Sequence, residues 1–313
     1  MKILVLGAGA VGGYFGGRLA ESGADVVFLV RPRRAAQLKE HGLVVRSPHG
    51  DIKQKVACVL PEQLAPGYDL VILACKAYDL DSATGAIAPA VEKGTAILPL
   101  LNGVAHMETL GKKFSAERVL GGTCQIAATL TENGEIHHLY PVHKIIFGER
   151  SGVKSARCKT LEAEFAKTSV SYLLSETIDL DMWEKFVFLA ALAGTTCLMR
   201  APIGAIMETA EGEAIILEML DECKNVAVTS GYAPREEHLA WSRKVLTERG
   251  SVMAASMLRD IERNGKTEGE HIIGDMLRRA REYKLQTPLL RLAYCNLQAY
   301  ETRQNHKVNW RKV

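Results

Sequence analysis

Four short runs in the first third of the chain, residues 3–6, 26–30, 70–75 and 96–101, are apolar at successive rather than alternate positions. Val, Ile and Leu on both faces predict strands of a parallel sheet covered on each side. Between the runs, segments 11–22, 33–41, 80–91 and 104–114 carry helical periodicity. The first two end at Gly23 and Gly42, where a left-handed residue closes a helix. Strand and helix in alternation predict right-handed crossovers and an α/β fold. A region of shorter strands follows, with turn signals at Glu132-Asn133-Gly134 and Tyr140-Pro141, then a helix over 161–167 and a strand over 170–174.

From residue 179 the pattern changes to long helical periods, at 181–199, 212–230, 236–248, 251–263, 270–284 and 289–303, with strand signals almost absent. The expected organisation is a doubly wound α/β domain over 1–175 and an all-helical domain over 176–313, which suits a chain of 313 residues. The most apolar stretch, 186–199, is broken by Gly194, Thr195 and Thr196 and falls short of the roughly 20 residues that span a bilayer, so it reads as a buried helix. Met1 runs straight into the first strand without a signal-type segment, and a cytoplasmic protein with no membrane partner is expected. The tail 305–313, with Lys307, Arg311 and Lys312, reads as a solvated end.

Charge narrows the classes further. Lys and Arg number 39 against 36 Asp and Glu, a net +3 that calls for no nucleic-acid partner. The seven cysteines are dispersed, with no CxxC pair, and read as reduced packing residues. The histidines form no HExxH pattern, and His137, His138 and His143 fall in a strand-rich stretch, so no metal is expected.

The first strand runs into Gly7-Ala8-Gly9-Ala10-Val11-Gly12, a GxGxxG between a strand and a helix. Glycines there permit a tight turn, approach of backbone to a pyrophosphate, and close helix–strand packing, while the helix N-terminus supplies donors. In this setting the pattern predicts dinucleotide binding; elsewhere it would be an incidental turn. At the end of the second strand, where a carboxylate would hold the ribose of NAD, stands Arg31, followed by Arg33 and Arg34. Guanidinium groups favour the 2′-phosphate of NADP(H), the alternative being an ordinary basic helix start. Lys76 and Asn102 follow directly on the next two strands and should share the same rim.

In the helical half, Lys185, Leu189 and Ala193 follow at i, i+4 and i+8 on the most apolar helix. An ammonium among apolar groups is partly desolvated, its pKa lowered toward that of a useful proton donor; a lysine snorkelling from a helix end is the plainer alternative. Ser256, Asp260 and Glu268 have only caps or surface groups as their default reading.

Taken together these residues resemble the ketopantoate reductase (2-dehydropantoate 2-reductase) family. The matching elements are GAGAVG at 7–12, Arg31, Cys75-Lys76-Ala77-Tyr78, Leu101-Asn102-Gly103-Val104, Trp183-Glu184-Lys185-Phe186, Ser256 to Asp260, Thr267-Glu268, and Arg278-Arg279-Ala280 leading to Thr287-Pro288, in order over nearly the whole chain. The resemblance implies a Rossmann-type domain and a helical domain, with NADP(H) in the first and a small 2-oxo acid in the cleft between them. It implies that Lys185 donates a proton to the carbonyl oxygen and that Glu268 lies near the lysine and the cofactor ribose. It further implies that Asn102 and Lys76 orient nicotinamide and substrate, and that Ser256 touches the substrate.

The departures lie in the substrate half. Leu189, Ala193, Ile203 and Ile273 stand where many members of the family carry amides. A lost amide contact costs roughly 0.5–1.5 kcal/mol of binding, which points toward a less polar substrate. Two other readings share the architecture: an imine reductase, and a non-catalytic NADP(H)-sensing module, against which Lys185 and Glu268 speak. The apolar helices leave room for a homodimer.

Overall fold

The computed structural model describes residues 1–306; the basic tail with Lys307, Arg311 and Lys312 lies outside the described residues. The chain divides into two compact units, Met1–Met182 and Trp183–Val313. In the first unit the order is β1 (Lys2–Leu6), α1 (Ala10–Glu21), β2 (Asp25–Leu29), α2 (Pro32–His41), β3 (Leu43–Arg46), β4 (Ile52–Gln54), β5 (Ala57–Val59), β6 (Leu70–Leu73), α3 (Leu80–Ile87), β7 (Ala96–Pro99), α4 (Ala105–Phe114), β8 (Gly121–Leu130), β9 (Ile136–Gly148), α5 (Ala156–Phe165) and β10 (Ser171–Leu174).

Five strands form a parallel sheet in the order β5-β2-β1-β6-β7. The four apolar runs read from the sequence are β1, β2 and β6, its three inner strands, and β7 at one edge, and residues such as Ile3, Val5, Phe28, Ile72 and Leu98 are buried in one core with Phe15 and Leu19 of α1. Because β2 lies on one side of β1 and β6 on the other, successive crossovers leave β1 in opposite directions. That reversal opens a crevice at the carboxyl ends of the strands.

A second sheet runs β10-β9-β3-β4, with β8 antiparallel to β9. Thr131 and Glu135 close the β8–β9 turn that Glu132-Asn133-Gly134 predicts. The second turn signal, Tyr140-Pro141, lies instead inside β9. Register passes from Ile126 opposite His143 to Ala128 opposite His138, so residues 139–142 bulge outward. Proline, which lacks an N–H, is accommodated at such a bulge.

Beneath the bulge three imidazoles collect. His49 and His143 stack with ring centroids 3.6 Å apart, the Tyr14 hydroxyl lies 2.6 Å from His143 Nδ1, and Ser47 Oγ lies 2.9 Å from His138 Nδ1. Burial, followed by the neighbouring charges of His49, His138 and Arg18, pushes His143 down to about 4; burial also lowers His138. Among the described residues no group of three or more His, Cys, Asp or Glu is placed to hold a metal ion.

The second unit is helical: α6 (Ile178–Met199, which begins in the first unit), α7 (Ile203–Met207), α8 (Gly212–Thr229), α9 (Glu236–Leu246), α10 (Ser256–Glu262), a π-turn (Glu270–Gly274), α11 (Asp275–Glu282) and α12 (Pro288–His306). The helix α6 is longer than its apolar run. Among the described residues it is the one helix long and apolar enough to cross a membrane, yet 78% of its apolar window is buried inside the protein, as a core helix requires. Phe186, Ala190 and Cys197 of α6 are buried, as are Met219 and Cys223 of α8, Met276 of α11 and Leu290 of α12. Burial raises the Cys197 thiol to about 12 and Cys223 further still, which makes both packing groups rather than nucleophiles.

The imidazole cluster gives the first prediction. The His143 pKa is about 4 in the folded chain against 6.5 unfolded, so the unfolded state binds the extra proton between these values. Stability should be complete above pH 6.5 and fall by roughly 3 kcal/mol as pH drops toward 4. Urea unfolding at a series of pH values checks this, and His143→Gln should flatten the acid limb.

Candidate active site

The turn at the carboxyl end of β1 is built from three different uses of glycine. Gly7 takes φ +87°, donating its N–H to Leu29 O at 2.9 Å. At Gly12 a Cβ would stand 2.3 Å from Gly7 O and 3.1 Å from Ala74 Cβ, so α1 and β1 could not approach as they do. At Gly9 a Cβ would meet nothing within 4 Å: the chain leaves open space in front of the α1 N-terminus. No side chain caps that helix, and its first N–H groups face the opening. Space, uncapped donors and dipole together fit a pyrophosphate.

Arg31 caps the start of α2 at the end of β2, its side chain 77% exposed and its Nη2 3.6 Å from Asp79 Oδ2. Arg34, one turn on, is used differently from the simple expectation of a basic run aimed at phosphate. Its Nε donates to Ala8 O at 2.9 Å and its Nη1 to Gly134 O at 2.7 Å, so the half-buried guanidinium ties the glycine turn to the β8–β9 turn. Burial lowers its pKa. Lys76 follows β6 and leads the short 3-10 turn Ala77–Asp79; Asn102 follows β7 and precedes Gly103, at φ +78°. The glycine turn, Arg31, Lys76 and Asn102 therefore all follow the carboxyl ends of adjacent parallel strands.

In the second unit, Lys185 and Leu189 are the two residues between Met182 and Cys197 on α6 that are not buried. Ala193, the third position of that face, is only 4% exposed. The residues before the lysine are fixed on other sides of the helix. Trp183 stacks on Tyr232, with centroids 5.2 Å apart, and takes the Arg279 guanidinium 5.2 Å from its ring. Glu184 accepts Arg235 Nε at 2.9 Å and Arg235 N–H at 2.8 Å, and the His238 Nε2 lies 3.0 Å from Glu184 O. Burial pushes the Glu184 carboxyl up, but the bonds from Arg235 outweigh it and leave the pKa below its ordinary value. This clamp had no sequence signal, since Glu184 and Arg235 are far apart along the chain.

Ser256 is the exposed first residue of α10, whose preceding residue Ala255 donates to Thr196 Oγ1 of α6 at 3.4 Å. Thr196 lies three turns along the helix from Lys185, roughly 16 Å. Glu268 is 8% exposed and its carbonyl accepts Ile272 N–H at 3.0 Å, in the π-turn that replaces the regular helix expected from residue 270. Ile273 of that turn is fully buried, and a Cβ on Gly194 would lie 3.6 Å from its Cδ1. The segments carrying Ser256 and Glu268 thus both pack against the C-terminal turns of α6. Ile203 and Ile273 are core residues, leaving Leu189 as the accessible apolar neighbour of Lys185.

Comparison with known proteins agrees with this architecture. Residues 3–152 match the family model "Ketopantoate reductase PanE/ApbA" and residues 177–301 its C-terminal counterpart. An uncharacterised oxidoreductase of Bacillus subtilis, YkpB, is 40% identical over 96% of this chain and 99% of its own. The crystal structure of 2-dehydropantoate 2-reductase from Methylococcus capsulatus superposes with a TM-score of 0.88 at 27% identity, covering 98% of this chain and 99% of the other. At 24% identity and a TM-score of 0.87, covering 97% and 99%, a D-mandelate dehydrogenase with NADH and anilino(oxo)acetate shares the fold. The matched family and the relatives that share it are oxidoreductases, and that is the class of this protein. The chain belongs to the ketopantoate reductase family.

The bond from Arg34 to the glycine turn should support binding of any dinucleotide, whatever its ribose carries. Arg34→Met should weaken NAD⁺ and NADP⁺ alike, by about tenfold, in calorimetric titration.

Proposed function

We propose that the chain is an NADP(H)-dependent reductase of small 2-oxo acids, with 2-dehydropantoate as the first substrate to test. The observation that carries this reading is Lys185: the single basic residue of α6, on the narrow stripe of that helix left uncovered, within the motif Trp183-Glu184-Lys185-Phe186. Membership of the family and the 2-dehydropantoate 2-reductases among its relatives support the reaction class. Support for the cofactor comes from the glycine turn, from Arg31 at the end of β2, and from the nicotinamide dinucleotide that a protein of the same fold holds. When bound, NADPH supplies the hydride to the carbonyl carbon.

The protein's part is to bind, orient and move one proton. In this reading the Lys185 ammonium faces the carbonyl oxygen, stabilises the negative charge that develops there and gives its proton to it. The products are the 2-hydroxy acid and NADP⁺, and Lys185 recovers its proton from solvent. Glu268 and Ser256 are assigned to the same site, Glu268 beside the lysine and Ser256 on the substrate; Lys76 and Asn102 are assigned to the nicotinamide end. Such an enzyme draws on a cytoplasmic NADPH pool.

Leu189 favours a second reading of the substrate. As the accessible neighbour of Lys185 it offers a hydroxylated acid no hydrogen bond, and Ala193 is nearly closed off. A 2-oxo acid with an apolar side chain therefore suits this face better than ketopantoate does.

NADPH absorbance with ketopantoate and less hydroxylated 2-oxo acids in parallel tests both readings. Turnover of at least one acid is expected, and Lys185→Ala should lower kcat by about 10²–10⁴. Turnover that survives this substitution would remove the assigned proton donor, and no turnover of any 2-oxo acid would overturn the reading.

A further inference from the structure

Arg31 and Asp79 extend toward each other from beyond the carboxyl ends of β2 and β6, the two strands that flank β1. Their side chains meet at 3.6 Å, Nη2 to Oδ2, with 77% and 40% of each exposed. Both positions are set by backbone. The carbonyl of Arg31 accepts the N–H groups of Arg34 and Ala35 at the start of α2. The N–H of Asp79 donates to Lys76 O at 2.9 Å, and its carbonyl accepts Ser82 Oγ at 2.9 Å. The pair therefore spans the end of β1, where the glycine turn begins.

So exposed a pair adds next to nothing to stability. Its consequence is electrostatic. Arg34 is turned to Ala8 and Gly134, so the charges beside the pair are those of Arg31, the exposed Arg33 and the Asp79 carboxylate, with Lys76 following β6 on the same rim. A 2′-phosphate, carrying about −1.5 to −2 near neutral pH, would have to take Arg31 away from Asp79 and then sit near a like charge. A ribose 2′-hydroxyl bears no charge and meets neither gain nor penalty of that size.

We propose that Asp79 is a specificity-determining residue of the dinucleotide crevice: it is the counter-ion that a 2′-phosphate displaces from Arg31, and it narrows the preference for NADP(H) over NAD(H). This rests on the reading of the crevice as a nicotinamide dinucleotide site with Arg31 toward the 2′-phosphate. The preference of the unsubstituted chain is then smaller than an arginine alone would give, and NADH is accepted as a slower alternative.

Calorimetric titration of the full chain with NADP⁺ and with NAD⁺ reads this without turnover. For Asp79→Asn the NADP⁺ Kd should fall about three- to tenfold while the NAD⁺ Kd stays within about twofold. Asp79→Ser should behave alike, and thermal melts should match the parent because the position is exposed. In an Arg31→Ala background the same substitution should have less than half its effect on log Kd. An unchanged NADP⁺ to NAD⁺ ratio, or an equal gain for both, would overturn the proposal while leaving the crevice reading intact. Binding of neither dinucleotide by the unsubstituted chain would overturn both, and that result is read before any substitution is made.

Discussion

The close approach of α1 to the end of β1 is the constraint on which the first unit is built. At Gly12 there is no room for even one carbon, and the contact that excludes it is with the carbonyl of Gly7 in the turn itself. The helix is thereby seated against the sheet with its first N–H groups open to solvent at Gly9. Phe15 and Leu19 of α1 are carried into the core beside Phe28 and Ile72. A larger residue at Gly12 would move the helix, its donors and that core together, so the binding surface and the packing rest on one contact.

Legibility in the sequence followed burial. The strands β1, β2, β6 and β7 announce themselves because both faces are covered, so apolar residues run without alternation. By contrast β3, β4 and β5 have three or four residues each, too few to show a period, and their places depend on partners: β5 on β2, β3 on β9, and β4 on β3. The proline in β9 reads as a turn because the residues that bulge around it are set by pairing with β8. The change to an all-helical half was plain from periodicity, but the π-turn was not, since one extra residue in a turn leaves the apolar pattern almost unaltered.

The same distinction holds at the site. The glycine turn, Arg31, Lys76 and Asn102 were legible because a sheet's topology puts the residues after its strands on one rim, and Lys185 because it interrupts an apolar helix. Arg34 was legible as a charge and not as a brace, for its partner Gly134 is brought to it by the second sheet. Asp79 and the Arg235 clamp on Glu184 were invisible for the same reason: each acts on a residue distant in the chain. Ser256 and Glu268 stood out only through resemblance, and the hydrogen bond at Thr196 and the packing at Gly194 are what tie their segments to α6.

The π-turn at Glu270–Gly274 also sets how the chain tolerates changes in length. A π-turn holds one residue more than an α-turn, and Gly274 here lies so close to Tyr294 that a Cβ would come within 2.9 Å of its ring. Loss of a single residue between 270 and 274 would let α11 continue as ordinary helix, at little cost in backbone hydrogen bonds. It would also rotate everything upstream by about 100° about the helix axis. Glu268, which lies just ahead of the turn, would be carried round with the residues upstream while Asp275 and Met276 kept their places. Ile272 and Ile273 lie within the same segment and are buried, so such a change would also turn core side chains: the length of the π-turn is held by packing, and the direction of Glu268 is held with it.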